Sequence, residues 1–300
     1  MTRIALVGAG RMGRPACAAL AEAGHDVFAT DKRAGLKASV QACGAAWRDS
    51  PALAAARADV LITMLPGPDE VHEAMLGAGG ALGALVAGAT WIDMTSNSPM
   101  AVRPLRELAL ERGIGVLDAP VGGGVQAARE RRLQLFVGGD ASLLDQHRPL
   151  LEVLTGPGRI AHVGEHGAGY TVKLLVNLLW FGQAVATAEA LLLGKSAGID
   201  LRVLQEALNG SAASSNFIGC DLQALFRGDY LTSFGLDGIC QELAAVTELA
   251  RDHQVPFELS RLVRRTYQRA LARFGPVDGE LLAVALLEEQ AGLDLRSRPS

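Results

Sequence analysis

Lys173 stands near the start of the longest apolar stretch of the chain, Val172 to Leu193, and Asn177 follows four residues later. Spacing of i, i+4 stacks the two side chains on one helix face, one turn apart. An ammonium there could simply reach a wet edge with its stem on apolar neighbours. It could also meet a carbonyl or an anionic substrate and hand over or take up a proton, if its surroundings bring its pKa towards neutrality. The glycines of Gly167-Ala168-Gly169 and the apolar context favour the second reading, with Asn177 holding the lysine or the substrate.

A second constellation sits at the other end of the sequence. Gly8-Ala9-Gly10-Arg11-Met12-Gly13 is a G-x-G-x-x-G pattern. Alone it is weak in a chain with 35 glycines. Here an apolar run, Ile4 to Val7, precedes it and a helical pattern, Arg14 to Ala23, follows. In that setting the first glycine makes a tight turn, the second admits a pyrophosphate to the backbone and the third lets helix and strand approach. The helix N-terminus adds N–H groups and a positive dipole end, with Arg11 and Met12 in the turn. Asp31, about twenty residues on, is placed to bind the adenosine ribose hydroxyls. Its charge favours NAD over NADP, although Lys32 and Arg33 beside it could attract a 2′-phosphate.

Three further segments end β-rich runs: Met64-Leu65-Pro66-Gly67-Pro68, Asp93-Met94-Thr95-Ser96-Asn97-Ser98-Pro99, and Asp118-Ala119-Pro120-Val121-Gly122-Gly123-Gly124. They offer a bend, hydroxyls and a glycine-lined backbone surface respectively. Ligands of open α/β sheets bind outside strand carboxyl ends, so three such loops in succession form a candidate site.

The elements that must position these residues follow from the hydrophobic pattern. Short apolar runs at 4–7, 26–30, 60–64, 90–93, 115–118, 133–137 and 160–163 alternate with helical stretches. This predicts an α/β fold, a doubly wound and largely parallel sheet with helices on both faces. Beyond about Gly164 no β-rich run recurs, and a helix from about Gly169 to Gly198 opens an all-helical C-terminal part. The expected division is therefore 1–163 and 164–300. Arg296 to Ser300 read as a frayed tail.

The 300 residues are 49% apolar and 20% charged, enough for a large core, and the formal net charge is −4. No basic run points to nucleic acid or an anionic membrane as a partner. Lys173, Asn177, Gln183 and Glu189 interrupt the long apolar stretch, which reads as a buried helix and not a membrane span. Cys17, Cys43, Cys220 and Cys240 lie far apart and read as reduced thiols. The start, Met1-Thr2-Arg3, does not resemble a secretory signal, and a cytoplasmic location is expected. No metal site is expected.

The set Gly8 to Pro15, Met64 to Pro66, Asp93 to Pro99, Asp118 to Gly124, and Gly167 through Lys173 to Asn177 resembles the β-hydroxyacid dehydrogenase family over nearly the whole chain. That family includes 3-hydroxyisobutyrate dehydrogenase and tartronate semialdehyde reductase. The resemblance implies a Rossmann-type domain, a helical domain and a cleft between them. It implies that Lys173 is the catalytic lysine, with Asn177 beside it. Gly8, Gly10, Arg11, Met12, Gly13, Asp31, Lys32, Met64, Leu65, Pro66, Thr95 and Gln241 would lie on NAD or NADP. Ser96 with Gly122, Gly123 and Gly124 would lie on a small anionic hydroxy acid or semialdehyde.

Three departures qualify it. The family's Ser-Gly-Gly after Pro-Val is Gly122-Gly123-Gly124, its asparagine pair is Asn177-Leu178, and its later Lys-Asp is Gln241-Glu242. A serine hydroxyl and a positive charge near the cofactor are thereby lost. Asp237, one turn before Gln241, could meet a substrate amino group, or be an ordinary exposed carboxylate. The expected activity is hydride transfer between NAD(P) and a 3-hydroxy acid, in a homodimer or homotetramer. Imine reductases share the architecture but generally lack the lysine. A cofactor-binding sensor without chemistry is the remaining alternative.

Overall fold

Residues of β1 (Arg3–Val7) alternate between two cores: Ile4 and Leu6 pack in one, Ala5 and Val7 in the other. A strand buried on both faces needs helices above and below, and the chain supplies them. The computed structural model describes residues 1–297. After β1 come α1 (Gly13–Glu22), β2 (Asp26–Thr30), α2 (Lys37–Ala42), β3 (Ala46–Trp47), α3 (Pro51–Ala55), β4 (Val60–Thr63) and α4 (Pro68–Leu76). Then follow β5 (Thr90–Asp93), α5 (Pro99–Glu111), β6 (Gly115–Asp118), β7 (Val121–Gly122), α6 (Gly124–Arg129), β8 (Gln134–Gly138), α7 (Ala141–Thr155) and β9 (Ile160–Gly164). The rest is helical: α8 (Ala168–Ser196), α9 (Leu201–Asn209), α10 (Leu222–Phe226), α11 (Leu236–Asp252), α12 (Glu258–Phe274) and α13 (Leu282–Ala291).

The sheet order is β3-β2-β1-β4-β5-β6-β8-β7, with β9 beside β8. From β3 to β6 every pairing is parallel. The direction of succession reverses between β1 and β4, so the loops after Val7 and Thr63 open at a topological switch point. Leu20, Val40, Ile92, Leu117 and Leu151 fill one face; Val71, Trp91, Leu105 and Val116 fill the other.

Two details depart from the sequence reading. β3 and β7 are two residues each, too short to leave a hydrophobic pattern. β8 runs antiparallel to both β6 and β7, because six-residue α6 links β7 to β8 as a hairpin connection and not as a full crossover.

The chain separates into two compact units, Met1–Leu174 and Leu175–Ser300. The first takes in the opening turns of α8, beyond the expected break at 163/164. Those turns are bonded to the sheet through Asp93 and Asp118.

In the second unit, Trp180, Phe181, Phe217 and Tyr267 meet edge to face, with centroids 5.1–5.5 Å apart. The Trp180 indole N–H donates to Asp221 at 2.8 Å. By length and composition α8 is long and apolar enough to cross a membrane. In this fold its Phe181, Ala184, Ala188 and Leu191 are buried in protein. The expected fraying does not hold for Arg296 and Ser297. Their N–H groups donate to Asp294 Oδ1 and to the Phe226 carbonyl, each at 3.2 Å, and residues 298–300 lie outside the described residues.

His147 of α7 is buried, its Nε2 2.9 Å from the Thr90 hydroxyl. Burial lowers the imidazole pKa below its ordinary 6.5, so folding favours the neutral ring. The sign follows: this contribution is complete above about pH 6.5 and lost as pH falls through the lowered folded value. Thermal midpoints measured from pH 7.5 to 5.0 should fall for the wild type. They should fall less steeply for His147→Gln; equal slopes would exclude His147 as the cause.

Candidate active site

At the switch point the backbone itself forms the floor. Gly8 has φ +101°, and a Cβ there would lie 2.2 Å from the Met64 carbonyl oxygen. A Cβ on Gly13 would lie 2.0 Å from the Gly8 carbonyl oxygen. Only glycine fits either position, so the turn after β1 presses against the loop after β4 and α1 starts close beneath it. α1 begins at Met12-Gly13 with no side-chain cap and no acid in its first turn. Its positive end is thus left for an external anion, which is what a dinucleotide pyrophosphate requires. Arg11 is exposed and Met12 half-buried along this turn.

Asp31 follows β2 with its side chain only 8% exposed. Arg33 grips it in a fork, Nε to Oδ1 at 2.9 Å and Nη2 to Oδ2 at 3.0 Å, and adds its backbone N–H at 2.9 Å. Burial works to raise this carboxyl, but the Arg33 bonds outweigh it and hold Asp31 below its ordinary value. The guanidinium also overhangs the phosphate turn: a Cβ on Gly10 would be 2.9 Å from Arg33 Nη2. Lys32 points elsewhere and pairs with Glu73 of α4. Of the two cations next to Asp31, Arg33 therefore faces the cofactor turn.

The loops after β4 and β5 are knotted through one carboxylate. Asp93 is fully buried and accepts from Thr63 Oγ1 (2.8 Å), Thr95 N–H (3.0 Å), Asn97 Nδ2 (3.3 Å) and the Tyr170 hydroxyl (2.7 Å). Burial pushes its pKa up, and these bonds oppose that rise. Thr95, expected on the cofactor, is 1% exposed; its hydroxyl accepts the Leu65 N–H at 3.1 Å and ties the two loops together. Ser96 is half-buried beside it, and Met64, Leu65 and Pro66 edge the same strand ends.

Asp118, at the end of β6, secures the start of α8. Its oxygens accept from Gly167 N–H (2.9 Å), Gly169 N–H (2.8 Å) and Tyr170 N–H (3.3 Å). Contact this close requires Gly169, whose Cβ would sit 2.4 Å from the Phe136 carbonyl and 2.8 Å from the Asp118 carboxylate. Tyr170 adds its bond to Asp93, so the first turn of α8 is held by the ends of two adjacent strands. Lys173 follows one turn later and is half-buried. Gly122, Gly123 and Gly124 lie past the end of β6, the latter two exposed and with positive φ.

The second unit carries the remaining residues. Asn177 Nδ2 donates to Glu242 Oε2 of α11 at 2.6 Å, and Glu242 is buried. This bond turns the amide with its nitrogen towards Glu242. Gln241 is exposed, and Asp237 lies exposed in the first turn of α11. Among the described residues no group of three His, Cys, Asp or Glu is arranged to hold a metal.

Sequence reasoning did not single out Asp93, Tyr170, Asp118 or Glu242 as parts of the site. Asp93 and Asp118 each close a strand just before a loop, the one signal that marked them.

A glycine turn at the switch point of a doubly wound sheet, followed by an acid after β2, defines a dinucleotide-binding domain. Residues 3–164 match the family model described as the NAD binding domain of 6-phosphogluconate dehydrogenase. Residues 167–287 match that described as the NAD-binding domain of NADP-dependent 3-hydroxyisobutyrate dehydrogenase. The 2-(hydroxymethyl)glutarate dehydrogenase of Eubacterium barkeri is 32% identical over 89% of this chain and 88% of its own. The 3-hydroxyisobutyrate dehydrogenase of Pseudomonas aeruginosa is 38% identical over 72% of each chain. Among solved structures, the Mycobacterium tuberculosis 3-hydroxyisobutyrate dehydrogenase with L-serine superposes with a TM-score of 0.86 at 29% identity, covering 95% of this chain and 99% of that one. The chain belongs to the β-hydroxyacid dehydrogenase family.

The family's serine has room at position 122. A Cβ there would meet Gln134 and Phe136 no closer than 3.6 Å, ordinary van der Waals contact. Gly122→Ser should therefore fold with a near-unchanged thermal midpoint. If the glycine segment holds a substrate carboxylate, the added hydroxyl should lower KM for hydroxy acids severalfold with little change in kcat. An unchanged KM across a hydroxy-acid panel would separate this segment from carboxylate binding.

Proposed function

We propose that this protein is an NAD(P)-dependent dehydrogenase or reductase of a small 3-hydroxy acid, or of the corresponding semialdehyde, with Lys173 as proton donor and acceptor. One observation carries the reading. The first turn of α8 is bonded to the ends of β5 and β6, whose loops hold Ser96 and Gly122–Gly124, and Lys173 stands one turn beyond that anchor. The relatives described above are named as dehydrogenases of hydroxy acids, which supports the substrate class.

When bound, the nicotinamide accepts or supplies the hydride at the hydroxyl-bearing carbon. The Lys173 amine takes the hydroxyl proton as the alcohol is oxidised, and returns it to the carbonyl oxygen on reduction. Asn177, its nitrogen held by Glu242, stands four residues after Lys173 on the same helix. The Gly123 and Gly124 amides and the Ser96 hydroxyl hold the carboxylate. Asp31 takes the adenosine ribose hydroxyls and favours NAD. Arg33, forked onto that carboxylate and overhanging Gly10, would have to move to meet a 2′-phosphate. We further propose a cytoplasmic homodimer or homotetramer. Exposed Leu175, Val176 and Leu179 of α8 supply apolar surface for such pairing.

The test is absorbance at the nicotinamide band with NAD and NADP, against 3-hydroxy acids, hydroxy amino acids and semialdehydes. Wild-type protein should turn over a member of this panel. Lys173→Ala should lose turnover by about 10²–10⁴-fold while cofactor affinity stays within about twofold. An active Lys173→Ala enzyme would sink the assignment, and cofactor binding with no turnover of any panel member would favour a sensor.

A further inference from the structure

The second unit carries a concentration of positive charge that the proposed chemistry does not use. Arg261, Arg264, Arg265 and Gln268 of α12 fall at i, i+3, i+4 and i+7, a single helix face. With Thr247, Glu248 and Arg251 of α11 they line a groove of about 550 Å³. Four guanidinium groups thus face one carboxylate, in a chain whose net charge is −4.

These arginines are not occupied with one another's counterions. Among the described residues, Arg261, Arg264 and Arg265 make no ion pair, and Arg251 has only a loose one, 3.6 Å from Asp252. Arg264 is half-buried, and its Nε is shielded from solvent with no hydrogen-bond partner. Thr247 turns its hydroxyl back onto the Leu243 carbonyl at 2.6 Å and does not compete for a ligand. Like charges at i, i+3 and i+4 repel along a helix, so this stripe works against the stability of α12. A buried donor without an acceptor adds to that cost. Both costs are removed by an anion in the groove.

We propose that the groove between α11 and α12 is a binding site for a small polyanion carrying adjacent phosphate groups. Guanidinium forks approach from two helices, three from α12 and one from α11. A tetrahedral phosphate offers acceptors in several directions, whereas a lone carboxylate is filled by one fork in its plane. The volume lies in the range of small-molecule sites. The proposal stands independently of the hydride-transfer reading.

Inorganic pyrophosphate, titrated calorimetrically into the full-length protein, is the probe. Saturable binding is expected, weakening as salt is raised. In Arg261→Ala/Arg265→Ala it should weaken at least about tenfold. Arg103→Ala/Arg112→Ala, which removes the same charge from exposed positions in α5 and just after it, should bind as wild type. Both substituted pairs are at exposed positions, and circular dichroism of each variant is the check that it folds. Absence of saturable binding, or equal weakening in the two variants, overturns the proposal. So does a drop in mass by light scattering for Arg261→Ala/Arg265→Ala without loss of pyrophosphate binding, which would assign the groove to a second copy of the chain.

Discussion

Three backbone N–H groups at the start of α8 converge on the buried carboxylate of Asp118. A helix begins with N–H groups that no turn of its own can satisfy. Meeting them with an anion from the end of β6 joins the longest helix of the chain to the sheet, and hydrogen bonds to a charged group are worth about 1.5–3 kcal/mol each. The junction admits no side chain at Gly169. Asp93 repeats the device one strand over through the Tyr170 hydroxyl. Lys173 inherits its position from this pair of bonds, one turn downstream on a continuous helix.

The same carboxylates organise the loops. Asp93 gathers Thr63, Thr95 and Asn97, and Thr95 in turn holds the Leu65 N–H. The ends of β4, β5 and β6 and the start of α8 thus form one hydrogen-bonded block. Its carboxyl groups lie away from water, so the arrangement is costly unless every bond is made. A block of this kind suits chemistry that needs a lysine and a carboxylate-binding loop held at fixed separation.

The elements that this block joins were legible in the sequence because their signals are local. Glycine spacing, an acid after the second strand, loops at successive strand ends, and the i, i+4 relation of Lys173 and Asn177 all lie within short windows. What escaped depends on contacts distant along the chain. Tyr170 and Asp93 are 77 residues apart, and Asn177 and Glu242 are 65 apart. No periodicity announces such pairs. The reversal at β8 was hidden because its cause is the shortness of α6. Thr95 shows a subtler limit: a hydroxyl in a loop at a strand end reads as a ligand group, whereas its side chain here is turned inward.

The central claim is that Asp118 places the lysine. Asp118→Asn keeps the shape, but turns an amide nitrogen towards donors that need an acceptor. The decisive measurement is single-turnover nicotinamide reduction by this variant, with cofactor affinity and thermal midpoint measured alongside. The account predicts a hydride-transfer rate lowered about 10²-fold, as a displacement of about 1 Å can cause, with NAD affinity almost unchanged. A variant that loses thermal stability yet transfers hydride at the wild-type rate would contradict it.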